Sequence, residues 1–394
     1  INHNKYFIVF VLITAGLVAF LSQLNRQPDN VSMLSKGKQL ANIYCSSCHL
    51  ESPPSILPKQ SWEMTLAYMG YMLGIDNIDY LADHPEFARE NVLAKKKFLN
   101  EDNLVPTVPL LSESDWEALR YYYVESATSD SLPQADKPVL NWQLPQFNII
   151  QSDYHADPAV TTMVHIREET NQAYIGDTGA NTLAVLSGDG QLEFEPLQYG
   201  RGMMPVDIEF TAESAFVASV GDLIGDYPAY EKVATISQLP IIDQRIAATG
   251  ISVVVDDIYR MADMEVADLN HDGTLDFVVC GFGGRQGNVA WFESQSDGSY
   301  REHELINRPG AVRAQLHDFN GDNHLDIAVL MSDAREGFYI LINNGANEFE
   351  INTVFETHPS YGHTYFELQD FNSDGLMDIM TVNGDNVDSD PYNT

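Results

Sequence analysis

The sequence predicts a multidomain chain: a small all-α domain in the first third, then an all-β propeller of blades about 50 residues long. Three observations carry that reading. Apolar residues recur at helical spacing between residues 35 and 130. Beyond residue 148, runs of β-formers such as LDFVVCG, NVAWFES and LDIAVLM alternate with Gly, Asn and Asp turns. A nine-residue motif also returns three times, as DLNHDGTLD from Asp268, DFNGDNHLD from Asp318 and DFNSDGLMD from Asp370, with starts 50 and 52 residues apart. A repeat of that length holding four short strands is what a propeller blade needs, because one such sheet cannot bury both of its faces alone.

The chain opens on Ile1 rather than Met and is expected to be a fragment at that end. Its last repeat runs out in NGDNVDSDPYNT, so the propeller is expected to be incomplete as well. From Tyr6 to Leu21 come sixteen residues without a charge, YFIVFVLITAGLVAFL, behind Lys5 and ahead of the polar SQLNRQPDN. A basic flank before an apolar segment is the layout of an export signal. With no small-x-small cleavage site behind it, residues 1–26 read as a signal peptide or a retained signal anchor. The expected location is therefore periplasmic or otherwise extracytoplasmic, with this segment as an anchor in the inner membrane. The formal charge of −36, from 57 acidic and 21 basic residues, sets the chain against phosphate backbones and excludes nucleic acid as a partner.

Residues 30–130 form the first domain. The helix LSKGKQLANIY runs into YCSSCH, which holds Cys45, Cys48 and His49, two of the chain's three cysteines among them. C-x-x-C-H is the attachment sequence of a c-type haem: the thiols add across the vinyl groups and the adjacent imidazole becomes the proximal iron ligand. Blander readings fit less well. Zinc needs more ligands at matching spacing, and Cys280 lies far along the chain. A thioredoxin-like dithiol needs a βαβ context, and a disulfide across a two-residue gap is rare.

For the sixth iron position, the helix SWEMTLAYMGYMLG, capped by Ser61, offers methionines at 64, 69 and 72. A methionine in a soluble helix is usually core filling. A haem has to be covered, however, and Met69 is the first choice, ahead of Met72 and Met64, with His84 or an open position as the other options. The domain closes with LSESDWEALRYYYVESA, where Ser112 or Ser114 caps a helix carrying Trp116, Leu119, Tyr122 and Tyr123 on one face. Residues 35–130 thus resemble class I cytochromes c, which implies that this last helix packs across the one leading into the attachment motif.

Residues 131–147, rich in Pro, Ser, Asp and Gln, read as a linker, and residues 148–394 as the propeller. In each nine-residue motif, oxygen-bearing side chains stand at positions 1, 3, 5 and 9. Position 7 offers its carbonyl, and position 6 (Gly273, Asn323, Gly375) suits positive φ. This is the opening of an EF-hand-type loop. An Asx-rich turn without metal needs no acid or amide at four fixed places. Three aspartates per loop also repel one another unless a divalent cation sits among them. An all-oxygen set on a flexible loop points to Ca²⁺ rather than zinc, copper or Mg²⁺.

This half resembles the FG-GAP/VCBS repeat proteins, whose blades are like those of integrin α-subunit heads. The resemblance implies Ca²⁺ held by Asp268, Asn270, Asp272 and Asp276, by Asp318, Asn320, Asp322 and Asp326, and by Asp370, Asn372, Asp374 and Asp378. It is tightest over residues 260–385. One period upstream, VDIEFTAESAFVASVGDL lacks the ligand set, and about five blades fit the region. Cys280, Trp291 and Phe292 read as core residues, and His317, His324, His358 and His363 as blade-equivalent or turn positions.

The whole chain is similar to bacterial fusions of a monohaem cytochrome c with an FG-GAP/VCBS propeller. Three function classes follow as expectations. In the first, with no catalytic residues, haem c carries one electron and a Ca²⁺-stiffened propeller docks a redox partner protein or a carbohydrate or protein ligand. In the second, the propeller is a dehydrogenase feeding the haem, although Arg201, Arg245, Arg260, Arg285 and Arg313 are too scattered to seat an acidic quinone. An adhesion module is the third, and it leaves the N-terminal third unexplained.

Overall fold

A computed structural model describes residues 30–47, 50–101, 105–129, 139, 148–200, 203–221, 232–283, 286–332 and 335–384, without the side chains of 87, 88, 91, 94, 95, 98, 101 and 360. The chain divides into two compact units at Asp136–Lys137. The apolar segment of residues 6–21 lies outside the described residues, as does the 131–147 linker apart from Val139. No described helix is long and apolar enough to cross a membrane.

The first unit contains, among the described residues, the helices α1 Asn30–Tyr44, α2 Lys59–Met72, α3 Glu86–Glu101 and α4 Glu113–Ser126. Helices α1 and α4 cross at Gly37, where a Cβ would stand 2.1 Å from the Ala118 carbonyl oxygen and 2.5 Å from Tyr122 Cβ. Only a residue without a side chain lets the two backbones approach this closely. Lys36 and Asp115 pair across the crossing at 2.5 Å. Helix α4 starts as its sequence reads: Ser112 Oγ accepts the Asp115 N–H at 3.2 Å, and Glu113 and Asp115 occupy the first turn.

Helix α2 starts differently from its sequence reading. Ser61 is not its cap but is fully buried in the first turn. The helix begins behind Pro58, whose φ of −65° is set by its ring, and the Thr128 carbonyl accepts the Lys59 N–H at 2.9 Å. A donor at the helix start is thereby satisfied from outside, and no side-chain cap is needed.

The second unit is all β and forms five antiparallel sheets among the described residues. The first sheet holds β1 Thr161–Arg167, β2 Gln172–Asp177, β3 Thr182–Ser187 and β4 Leu197–Gln198. The second holds β5 Pro205–Phe210, β6 Ser214–Ser219, β7 Lys232–Ile242, β8 Arg245–Ile246 and β9 Ser252–Tyr259, with β7 paired to both β8 and β9. The third holds β10 Met261–Ala267, β11 Asp276–Gly281, β12 Asn288–Ser294 and β13 Tyr300–Ile306. The fourth holds β14 Ala311–His317, β15 Asp326–Met331, β16 Gly337–Asn343 and β17 Phe349–Glu356. The fifth pairs β18 His363–Gln369 with β19 Asp378–Asn383.

The first strands lie beside one another, β1 by β5, β5 by β10, β10 by β14 and β14 by β18, and the core fills the spaces between successive sheets. Strand period explains why the middle strands read as unbroken apolar runs. On β11, Phe277 and Val279 face the second sheet while Val278 and Cys280 face the fourth. On β15, Ile327, Val329 and Met331 face back while Ala328 and Leu330 face on. Each inner sheet is covered on both faces, and the result is a propeller-like β domain. Cys280, Trp291 and Phe292 are core residues, as expected, at 0%, 1% and 4% exposure.

Candidate functional site

Cys45 opens a short 3₁₀ turn at the end of α1, and Cys48 and His49 fall outside the described residues. Around Cys45 gather Tyr44, Leu57, Trp62, Leu66, Trp116 and Tyr123. The Trp62 and Tyr123 rings lie 4.3 Å apart, and Trp62 Nε1 donates to the Pro54 carbonyl at 2.8 Å. Burial, followed by the neighbouring Cys45, pushes the Tyr123 phenol well above its ordinary pKa.

Helix α2 sorts the three methionines. Trp62, Leu66 and Leu73 belong to the Cys45 cluster, and Met69 shares their stripe, three residues past Leu66 and four before Leu73. On another face Met64 packs with Ala67, Tyr71, Leu81, Val92 and Leu99, while Met72 is 37% exposed. His84 is engaged by Glu63, Nε2 to Oε2 at 2.8 Å. The Trp116 indole N–H is buried in the Cys45 cluster without an acceptor.

The three aspartate loops share one backbone. Position 6 has positive φ, 87° at Gly273, 69° at Asn323 and 87° at Gly375. Position 4 does too, at His271, Gly321 and Ser373 (60°, 76° and 63°), which the sequence reading did not anticipate. No atom lies within 4 Å of where a Cβ would sit on Gly273, Gly321 or Gly375, so glycine serves conformation there rather than space.

Side-chain contacts repeat with the backbone. The position-1 carboxylates of Asp268, Asp318 and Asp370 accept the N–H groups of positions 5 and 6 at 2.8–3.2 Å. Asn270, Asn320 and Asn372 each accept the position-5 N–H. Asp272, Asp322 and Asp374 accept from position 7 at 2.8 Å. These donors hold Asp272, Asp318 and Asp370 below the usual carboxylate range, through Thr274, the Asn323 N–H and the Gly375 N–H respectively.

Position 9 does something further. Asp276 is fully buried and accepts the Leu269 N–H at 3.3 Å and the Ser294 N–H at 2.8 Å. Asp326 is equally buried and accepts the N–H groups of Phe319 and Asn343, both at 2.8 Å. Each clamps the loop to the third strand of its sheet, and burial raises both pKa values. Among the described residues no three His, Cys, Asp or Glu side chains gather as a metal cluster.

An acidic seam runs where the first strands meet. Asp207 Oδ2 accepts the Met264 N–H at 3.0 Å and Asp263 Oδ2 the Ala314 N–H at 2.7 Å, while Gln315 Oε1 accepts the Leu368 N–H at 2.9 Å. Each first strand is thus pinned to the next by a side chain. Arg313 lies 3.4 Å from Asp263 and 3.7 Å from Glu367 and donates to the Phe366 carbonyl at 3.0 Å. Burial raises the pKa values of Asp207 and Asp263, and takes Glu209 to about 8 and Glu265 to about 9, with Arg313 opposing. The sequence carried a signal for this in VDIEF and ADMEV, where D-x-E sets two acids on one strand face.

Residues 268–329 and 318–381 match the FG-GAP-like repeat family. Over 124 residues the chain is 27% identical to photosystem II extrinsic protein V of Cyanidium caldarium, covering 26% of this chain and 78% of that protein. Among solved structures, a luciferin-regenerating enzyme aligns at 16% identity and a TM-score of 0.33, covering 53% of this chain and 66% of that one. The periplasmic gluconolactonase of Pseudomonas aeruginosa aligns at 13% identity and a TM-score of 0.32, covering 56% of each. The chain spans less than two thirds of either solved structure. Residues 268–381 of the β unit thus carry FG-GAP-like repeats.

Proposed function

We propose that this chain is an exported c-type cytochrome that carries one electron at a time, with a calcium-stabilised propeller that docks its redox partner. The observation that carries this reading is Cys45 of the C-x-x-C-H motif. It stands at a helix end in an apolar and aromatic cluster to which α2 contributes Trp62 and Leu66, and Met69, three residues past Leu66 in the sequence, is the thioether we assign to the iron. Two thiols for the vinyl groups, with an imidazole and a thioether for the iron, are what a covalent haem with Met/His ligation needs, and the group would supply a reversible one-electron couple there. Cys45 and Cys48 would hold it, His49 and Met69 would take the iron, and Trp62, Leu66 and Tyr123 would exclude water. The Trp116 N–H, a donor lacking an acceptor, would be available to a haem carboxylate.

In the β unit, the Asp and Asn side chains at positions 1, 3 and 5 of each loop would offer Ca²⁺ an all-oxygen set. A cation would use the lone pairs that the backbone donors leave open. Docking then falls to a surface whose turns are stiffened, and the strongly negative chain favours a partner with a basic face.

The test is an optical spectrum of the protein coexpressed with haem-maturation machinery. Covalent haem is expected in the wild type and is lost in Cys45→Ser/Cys48→Ser. The long-wavelength thioether-to-iron band of the oxidised form should vanish in Met69→Ala and persist in Met64→Leu. A wild type without covalent haem refutes the reading.

A further inference from the structure

Loops one (268–276) and two (318–326) are joined by two routes that loop three (370–378) lacks among the described residues. The buried route passes through Asn343, the last residue of β16, which is 2% exposed. Its backbone N–H donates to Asp326 Oδ1 at 2.8 Å, while its side-chain Nδ2 donates to the Leu269 carbonyl at 3.0 Å and the Leu325 carbonyl at 3.3 Å. Leu269, the second residue of loop one, in turn donates its N–H to Asp276 Oδ2. One hydrogen-bonded path, Asp276–Leu269–Asn343–Asp326, therefore links the ninth residues of the two loops through the core.

The second route lies near the surface. His271, at position 4 of loop one, meets His324, at position 7 of loop two, edge to face with centroids 4.9 Å apart. Gly345 backs His324 so closely that a Cβ there would stand 2.5 Å from its Nε2. Loop three has Ser373 and Leu376 at the corresponding positions, and Asp378 accepts the Phe371 N–H with no counterpart of Asn343 among the described residues.

Building on the calcium reading above, we infer that loops one and two take up cations as a coupled pair. The reason is shared ordering. A cation that fixes the loop-one side chains also fixes Leu269 and His271, and through them Asn343 and His324, so the second cation meets a loop already held. Couplings of this kind change affinity by about 5–150-fold.

Trp291 supplies a local reporter, since it packs in the same core cluster as Leu269 of loop one. The full chain is titrated with Tb³⁺, and the part of the tryptophan-sensitised emission that Trp291→Phe removes is taken as loop one. Disabling loop two with Asp318→Asn/Asp322→Asn is expected to raise the loop-one midpoint at least about fivefold. Disabling loop three with Asp370→Asn/Asp374→Asn should leave it unchanged. His271→Ser cuts the surface route while keeping a residue type that loop three already holds at φ 63°, and it should give a smaller rise than disabling loop two.

A loop-one midpoint indifferent to loop two overturns the coupling and leaves the calcium reading standing. Equal shifts from both double variants assign the effect to net charge and overturn it as well. Absence of saturable Tb³⁺ emission, with no Ca²⁺ uptake by calorimetry, overturns the calcium reading itself.

Discussion

Glu265 offers a quantitative test of the acidic seam. It sits on β10 in a field set first by burial and then by Glu209, Asp263 and Asp207, with Arg313 as the opposing cation, and its pKa is raised from 4.5 to about 9. In the unfolded chain it ionises near 4.5, whereas in the fold it keeps its proton until far higher pH. Between those values the folded state binds the extra proton, so stability is highest at low pH and falls by about 1.4 kcal/mol per pH unit as pH rises. At pH 7, 2.5 units above 4.5, the accumulated loss is about 3 kcal/mol, an upper bound because neighbouring acids share the field.

Glu265→Gln replaces the protonated carboxyl with a neutral isostere. Wild type and variant should be equally stable near pH 4.5, and the variant should be more stable by about 1–3 kcal/mol at pH 7. Urea unfolding followed by near-UV circular dichroism at several pH values, at fixed calcium, reads the difference. A wild-type stability that rises from pH 5 to 8, or a variant that is never the more stable, refutes the account of the seam.

Two further substitutions probe packing and clamping. Gly37→Ala puts a Cβ against the Ala118 carbonyl and should destabilise the helical unit by about 1–3 kcal/mol, despite alanine's helix preference of about 1 kcal/mol. An unchanged melting temperature would show that the α1–α4 crossing relaxes freely. Asp326→Ala strips the acceptor from the Phe319 and Asn343 N–H groups and should cost about 2–5 kcal/mol in urea unfolding. Asp326→Asn, which keeps one oxygen, should recover part of that loss, and equal behaviour of the two variants would mean that the clamp is not what holds the strand.

Much of the β unit was legible because strand period and turn chemistry are local. LDFVVCG and LDIAVLM advertise strands covered on both faces, and the three motifs fix the phase of the repeat. Positive φ at position 6 could be read from Gly273, Asn323 and Gly375. At position 4 it could not, because His271 and Ser373 are not residues that announce it. The start of α2 was misread at Ser61 because the deciding partner, the Thr128 carbonyl, lies about 70 residues away. The seam was missed for the same reason. Asp207, Asp263 and Arg313 meet only once three sheets stand side by side, and no local pattern states which strand faces come together.

The aspartate loops invite a simple expectation about metal removal, in which three carboxylates per loop spring apart once their cation is gone. The hydrogen bonds argue otherwise. Positions 1, 3 and 5 already face N–H groups of their own loop, and the buried Asp276 and Asp326 spend both oxygens on the backbone. Such donors answer carboxylate charge much as a cation does, though less strongly. Chelation should therefore leave the near-UV circular dichroism of the β unit intact at 25 °C and lower only its melting temperature. The loss follows mass action, about 2.7 kcal/mol for each site that had been held at 100 times its dissociation constant. Loss of the near-UV signal on chelation alone would show that repulsion outweighs the turn hydrogen bonds, and that the cations build these loops rather than stiffen them.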